Sequence, residues 1–148
     1  MERIRVVMAK PGLDSHYRGV MVVSRHLVQH GMEVVYLGNQ LPEQIVQAVL
    51  AEDADVLGLS SLSGNHLALV PPVLEGLSAL GLEDVLVLLG GIVPAEDADE
   101  LRAQGVGEVF GPGTDLASIV RVIRERVAGR DAASVAGRDA ALAVGRRP

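Results

Sequence analysis

The stretch Ile4-Arg-Val-Val-Met-Ala-Lys-Pro-Gly-Leu-Asp-Ser-His-Tyr-Arg-Gly19 contains the pattern that predicts the fold of this chain. It opens with an apolar run rich in β-branched side chains, which favours a buried strand. A polar loop then leads into a segment in which Val20, Val23 and Leu27 recur at helical spacing, and Gly31 follows as a stop signal. The stretch therefore predicts a strand, a loop and a helix, which is the repeating unit of an α/β fold.

The same unit recurs along the chain. Short apolar runs are each followed by a longer helical segment, and they lie at residues 4–9, 34–37, 56–59, 85–89 and 108–110. This alternation predicts an α/β fold of the flavodoxin-like (Rossmann-like) type: a five-stranded parallel sheet of order 2-1-3-4-5 with helices on both faces. In that topology a ligand crevice opens beyond the carboxyl ends of strands one and three.

Prolines and capping residues place the later helices. The second is predicted to begin near Pro42, and the fourth to span residues 94–104. The third, over residues 66–80, contains Pro71 and Pro72, so we expect it either to kink or to begin late. Thr114 is predicted to cap the fifth.

Composition limits the function classes. Of 148 residues, 49% are hydrophobic and only 2% aromatic, so the core must be aliphatic. The absence of cysteine excludes disulfides, zinc-thiolate sites and iron-sulfur clusters. The net charge of −6 argues against broad binding to phosphate backbones. No apolar run is long enough for a signal peptide or a membrane span, so we expect a cytoplasmic protein.

The carboxyl-terminal residues differ from the rest. The segment Ala-Gly-Arg-Asp-Ala-Ala occurs twice, at 128–133 and 136–141, in a run of low complexity. We therefore predict one domain over residues 1–128 and a flexible tail, a frayed helix or disordered chain, over residues 129–148.

Residues suited to ligand binding follow the predicted strands. Asp14 and His16 lie in the first loop, where a carboxylate that accepts a hydrogen bond from one ring nitrogen would orient the imidazole as a metal ligand. Ser60 and Leu62 follow the third strand. Gly90 and Gly91 follow the fourth strand, and their lack of side chains allows a ligand to approach the main chain closely. The segment Phe110-Gly-Pro-Gly-Thr114 follows the fifth strand, where we expect it to close the pocket.

Together these motifs, Asp-x-His-x-x-Gly, Ser-x-Leu and Gly-Gly at the ends of strands one, three and four, resemble those of the cobalamin-binding domain family. Over about residues 3–128 the chain is most similar to the small subunit, or the carboxyl-terminal domain, of methylmalonyl-CoA mutase-type acyl-CoA mutases. The resemblance implies that His16 is the lower ligand of the cobalt of adenosylcobalamin and that Asp14 orients it. It also implies a slot for the nucleotide tail of the cofactor. The predicted cofactor-binding residues are Asp14, Ser15, His16, Tyr17, Arg18, Gly19, Ser60, Leu62, Gly90, Gly91, Phe110, Gly111 and Thr114.

The resemblance further implies a subunit of a radical isomerase that acts on a branched acyl-CoA such as methylmalonyl-CoA or 2-hydroxyisobutyryl-CoA. The substrate-binding TIM barrel of such mutases has about 250 residues, so we expect a separate large subunit and no turnover by this chain alone. The alternatives are a non-catalytic cobalamin carrier or sensor, a corrinoid methyl-carrier subunit and a flavodoxin-like regulatory domain without cofactor.

Simpler interpretations of single residues stay open at this point. Asp14 can cap the first helix, and the paired glycines can serve a tight turn. His26 and His30 are one helical turn apart and favour a packing role, with a shared metal as the alternative. His66 is left without a role. A hydrolase triad is not favoured, because Ser60 does not lie in a Gly-x-Ser-x-Gly segment.

Overall fold

The computed structural model describes residues 3–13, 16 and 18–144, and residues 134–144 by their backbone alone. Strands and helices alternate along the chain, and all paired strands run parallel in the order β2-β1-β3-β4-β5. The predicted flavodoxin-like topology is therefore confirmed. The elements are β1 (Arg5–Pro11), α1 (Arg18–Gln29), β2 (Glu33–Gln40), α2 (Pro42–Ala51), β3 (Val56–Ser61), α3 (His66–Ala79), β4 (Leu86–Gly91), α4 (Ala95–Gln104), β5 (Glu108–Phe110) and α5 (Leu116–Val144).

The sheet has a hydrophobic core on each face. Successive residues of a strand point to opposite faces, so Val7 contributes to one cluster and Val6 to the other, and both are fully buried. Helices α2, α3 and α4 cover the first face, where Ile45 is fully buried. Helices α1 and α5 cover the second, with Leu27 and Ile123 almost fully buried.

The predicted end of α1 and start of α2 are confirmed, whereas α3 does not begin late. Gly31 (φ +86°) ends α1, and the Met32 N–H donates to the Leu27 carbonyl at 3.1 Å, as in a Schellman motif. Helix α2 begins at Pro42 as predicted. The expectation of a late start for α3 is wrong. The Asn65 carbonyl accepts from the Leu69 N–H at 3.1 Å, which completes the first turn ahead of both prolines.

The start of α5 also differs from the prediction. The Asp115 carboxylate accepts a hydrogen bond from the Ala117 N–H at 3.2 Å, so Asp115 caps the helix. Thr114 instead donates from its hydroxyl to the Gly111 carbonyl at 2.7 Å. Thr114 and Asp115 are adjacent residues that can both cap a helix. Because the Thr114 hydroxyl is used in the turn at residues 111–114, Asp115 caps α5.

An ion-pair cluster fastens the amino end of the sheet. Arg5 pairs with Glu33 at 2.9 Å and with Glu52 at 3.2 Å. Its main-chain N–H donates to one oxygen of the Asp55 carboxylate at 2.9 Å, and the other oxygen accepts from Arg130 at the same distance. The hydrogen bond and charge of Glu33 raise the pKa of Arg5.

Helix α5 continues beyond residue 128 to Val144 without a break. Arg130, which lies in the predicted tail, is held against the sheet by Asp55. Contacts with the domain thus extend at least two residues past the predicted boundary. The division between a domain and a flexible tail stays a prediction.

Candidate functional site

A cavity of about 490 Å³ lies between the sheet and helices α1 and α5. It lies on the face of the sheet that α1 and α5 cover. Its lining consists almost wholly of aliphatic residues and glycine. The few polar side chains that reach it belong to Arg18, Ser60 and Thr114. A volume and lining of this kind suit a bulky, mostly apolar ligand group held by a small number of polar contacts.

The floor of the cavity is a row of residues that face one another across the sheet. Ser60 pairs with Gly90, and Gly90 pairs with Phe110, so the three lie side by side on one face. A Cβ built at Gly90 would meet only the Leu59 carbonyl oxygen, at 4.0 Å. The missing side chain at position 90 therefore leaves open space at the cavity floor.

Gly91 is glycine for a different reason. Its φ of +146° is one that L side chains rarely adopt, and a Cβ there would collide with the main-chain carbonyl of Ser61. The β3–β4 pairing thus requires a glycine at position 91, while the residue also lines the cavity.

The roof of the cavity consists of one helix face from each end of the chain. Gly19, Val20 and Val23 of α1 lie opposite Leu116 and Ile119 of α5. A Cβ at Gly19 would meet no atom within 4 Å, so this part of α1 also leaves room.

The β5–α5 loop, residues 111–114, closes one end of the cavity. Gly113 has a φ of +80°, and the hydrogen bond from Thr114 to Gly111 fixes the turn. The structure thus brings together nine of the predicted site residues: Arg18, Gly19, Ser60, Leu62, Gly90, Gly91, Phe110, Gly111 and Thr114.

His16 is exposed and lies two residues before Arg18, the first residue of α1 and one of those that line the cavity, but His16 does not itself line the cavity. Asp14, Ser15 and Tyr17 lie outside the described residues. Cobalt ligation by His16 and the role of Asp14 therefore stay predictions.

The sequence pointed to neither of two further residues, one in the cavity wall and one near the loop of His16. Gly58 lies in the middle of buried β3 and lines the cavity, and a Cβ there would collide with the Met8 sulfur. A glycine within a buried strand is itself a sign of close approach. The sequence analysis also assigned no role to Lys10, which is only 2% exposed at the carboxyl end of β1, just before the loop of His16. A lysine is rarely buried without a paired charge. A lysine at the end of an apolar strand therefore indicates a position with a specific role.

Glu108 is the ionisable group with a shifted pKa nearest the cavity floor, two residues from Phe110. Burial alone would raise the pKa of Glu108. Hydrogen bonds from the Val109 N–H at 3.1 Å and from Arg102 at 3.0 Å outweigh burial and hold this pKa below its ordinary value. Glu108 therefore stays ionised and anchors β5.

The histidines outside the predicted site have structural partners. His66 is buried at the start of α3, and its Nε2 lies 2.8 Å from the Asp97 carboxylate of α4. It is not among the residues that line the cavity. The His26 and His30 rings lie 4.2 Å apart, and His30 Nδ1 contacts the His26 carbonyl at 2.9 Å.

Comparison with known proteins identifies the family of this fold and cavity. The sequence model of the family described as the B12 binding domain matches residues 4–121. These residues include all five strands and the described cavity-lining residues up to Ile119. The chain belongs to the B12-binding domain family.

Members of the B12-binding domain family that resemble this chain include mutase subunits. The chain is 45% identical over 130 residues to the 2-hydroxyisobutanoyl-CoA mutase small subunit of Aquincola tertiaricarbonis, covering 87% of this chain and 96% of that one. It is 44% identical to the pivalyl-CoA mutase small subunit of Xanthobacter autotrophicus, covering 81% of each. It is 38% identical to methylmalonyl-CoA mutase of Rhizobium meliloti but covers only 18% of that protein.

Solved structures agree on the fold. A cobalamin-binding protein from Desulfitobacterium hafniense superposes with a TM-score of 0.71 at 25% identity, over 84% of this chain and 60% of that one. A signal receiver domain from Vibrio parahaemolyticus has a TM-score of 0.73 at 10% identity, over 91% of this chain and 98% of that one, and shows the shared fold alone. Within the described residues, no helix is both long and apolar enough to span a membrane.

Proposed function

We propose that this B12-binding domain is the adenosylcobalamin-binding small subunit of a cytoplasmic acyl-CoA mutase that isomerises the carbon skeleton of a branched acyl-CoA. The observation that carries the proposal is the apolar cavity whose floor is open at Gly90 and whose α1 wall starts at Arg18, two residues after the exposed His16. Two relatives of similar length are small subunits of such mutases.

The residues present fit cobalamin. His16 is an exposed residue of the loop that follows β1, and neutral imidazole is a common metal ligand. The aliphatic walls suit the benzimidazole of the nucleotide tail, and the hydroxyls of Ser60 and Thr114 suit its few polar atoms. In this proposal His16 holds the cobalt, Asp14 orients the imidazole, and the cavity buries the tail.

When bound, adenosylcobalamin supplies the radical chemistry of the rearrangement. The chain itself fixes the position of the cofactor and excludes water from the tail. The residues at its carboxyl edge would hold the corrin where the large subunit can bring the substrate to it.

A large substrate-binding subunit completes the proposed enzyme. Three exposed apolar side chains lie in loops at the carboxyl edge: Leu13, Leu41 and Ile92, which are 91%, 61% and 63% exposed. Apolar side chains exposed at the edge where the cofactor would bind are candidate contacts for that subunit. Relatives that share this domain act on different acyl groups, so we place the determinants of substrate choice in the large subunit.

Reconstitution tests the proposal. The chain is loaded with adenosylcobalamin and mixed with candidate large subunits, and isomerisation of branched acyl-CoA substrates is followed by chromatography. We expect no turnover by either subunit alone and turnover by the mixture. Tight cobalamin binding without turnover with any large subunit would favour the carrier or sensor function instead.

A further inference from the structure

Asn65 is at the N-cap position of α3, yet its side chain makes no capping hydrogen bond. Asparagine is favoured at this position because its side-chain oxygen accepts from a free N–H of the first helical turn. Here Oδ1 accepts from the Ser61 hydroxyl at 2.7 Å, and Nδ2 donates to the Pro11 carbonyl at 3.4 Å. The amide is turned away from its own helix and toward the end of β1.

The surroundings fix the orientation of this amide. The group that faces Nδ2 is a carbonyl, so only the NH2 of the amide can make a favourable contact with it. The oxygen then faces Ser61, whose hydroxyl is able to donate. Ser61 is 1% exposed, and its main-chain carbonyl packs on Gly91 of the cavity wall. Asn65 thus connects the cavity wall to the end of β1.

The end of β1 is where the loop of His16 begins. The Gly12 N–H donates to the Gln40 carbonyl at 2.8 Å, and Gly12 has a φ of +76°. A Cβ at Gly12 would lie 2.6 Å from Leu69 Cδ1 and 3.3 Å from Asn65 Nδ2. The first residues of the loop are therefore held between β2 on one side and α3 on the other.

From this network we infer that Asn65 is a positioning residue for cobalt ligation. By holding the Pro11 carbonyl, it sets the direction in which the loop leaves the sheet, and so the position of His16 relative to a cofactor whose tail fills the cavity. The inference rests on the proposed function, since it concerns how this chain binds cobalamin.

Asn65→Asp tests this role without weakening the helix. The variant keeps an oxygen for Ser61 and can cap α3, where a negative charge is favourable. It loses the donor to Pro11 and places a carboxylate against a carbonyl. We expect a thermal midpoint equal to or above that of the unaltered chain. Cobalamin affinity and the ratio of histidine-ligated to unligated cofactor at saturation should both fall by about two- to tenfold, the usual range for one hydrogen bond.

Two further variants complete the experiment. Ser61→Ala removes the donor that orients the amide and should lower the same ratio by a smaller factor. Ser78→Ala removes an exposed hydrogen bond to Glu83 at the other end of α3 and serves as the matched control with an unchanged ratio.

The absorption spectrum of the bound corrinoid gives the ratio directly, and a purely structural role for Asn65 would leave it unchanged. If Asn65→Asp and Ser61→Ala both bind cobalamin with the affinity and ligation ratio of the unaltered chain, the positioning role is refuted while the proposed function stands. If the unaltered chain retains no corrinoid, the proposed function is refuted and the positioning role with it.

Discussion

Gly90 and Gly91 are adjacent in β4, yet an alanine at each is expected to change a different property. At Gly91 the new Cβ collides with the Ser61 carbonyl, and φ is +146°. An unfavourable backbone conformation costs about 1–3 kcal/mol, and a collision with unyielding main chain about 1–3 kcal/mol more. We therefore expect Gly91→Ala to lower the free energy of unfolding by about 2–6 kcal/mol.

At Gly90 the new Cβ meets only the Leu59 carbonyl oxygen at 4.0 Å and enters the cavity. Stability should be unchanged or raised by about 0.4–1 kcal/mol, because alanine restricts the unfolded chain. In the complex, however, the methyl group occupies space that the ligand needs. Overpacking by a methyl group costs about 1–3 kcal/mol, which corresponds to a loss of cobalamin affinity of roughly 5- to 150-fold.

Urea unfolding and a cobalamin titration monitored by absorbance measure the two properties on the same preparations. Gly90→Ala should lose affinity with its urea midpoint preserved, and Gly91→Ala should lose stability. Unchanged affinity in Gly90→Ala would show that the bound cofactor does not reach this part of the cavity, and would refute the assignment of the tail to it.

Three other predictions concern stability, pH and association. Glu108→Gln should weaken the pH dependence of stability in acid. The pKa of Glu108 is lowered in the folded state, so its ionised form contributes to the free energy of unfolding, by about 1 kcal/mol or less for a partly exposed pair. This contribution is present above the ordinary pKa of 4.5 and is lost as the pH falls through the folded pKa. Urea midpoints between pH 3 and 7 measure the loss. Arg130→Met should lower stability by about 0.5–1.5 kcal/mol through loss of the Asp55 contacts, whereas Arg121→Met, at an exposed position of the same helix, should change it by less than about 0.5 kcal/mol; equal urea midpoints for the two would contradict this. Ile92→Ser should leave cobalamin retention unchanged but weaken association with the large subunit by about tenfold, which calorimetric titration detects, and an unchanged dissociation constant would remove Ile92 from the proposed interface.

The strand order was predictable because it depends on a pattern that recurs along the chain. Each buried strand is a short apolar run, and each helix carries its apolar residues at helical spacing. Local competition between neighbours was harder to predict. Thr114 and Asp115 are both capping residues, and the choice between them depends on a turn at Gly111 that the sequence does not specify.

Some residues of the cavity could be predicted from the sequence, but the shape of the cavity could not. Leu62 and Gly90 were predicted to line a binding site, and both line the cavity. Ile119 lies on the inward face of α5 and is 7% exposed. The sequence did not indicate that the same inward face also forms the cavity roof opposite Val20 of α1. That outcome depends on the distance at which two helices far apart in the chain pack on the sheet, and periodicity gives only the face that each one buries.

The proposed function depends most directly on His16. The purified chain is incubated with cobalamin and desalted, and its absorption spectrum is compared with those of His16→Ala and of His30→Ala, a control at an exposed histidine just after α1. We predict that the unaltered chain and the His30 variant retain corrinoid with the spectrum of histidine-ligated cobalt, and that His16→Ala loses this spectrum. Retention of the same spectrum by His16→Ala, or no retained corrinoid in the unaltered chain, would contradict the account.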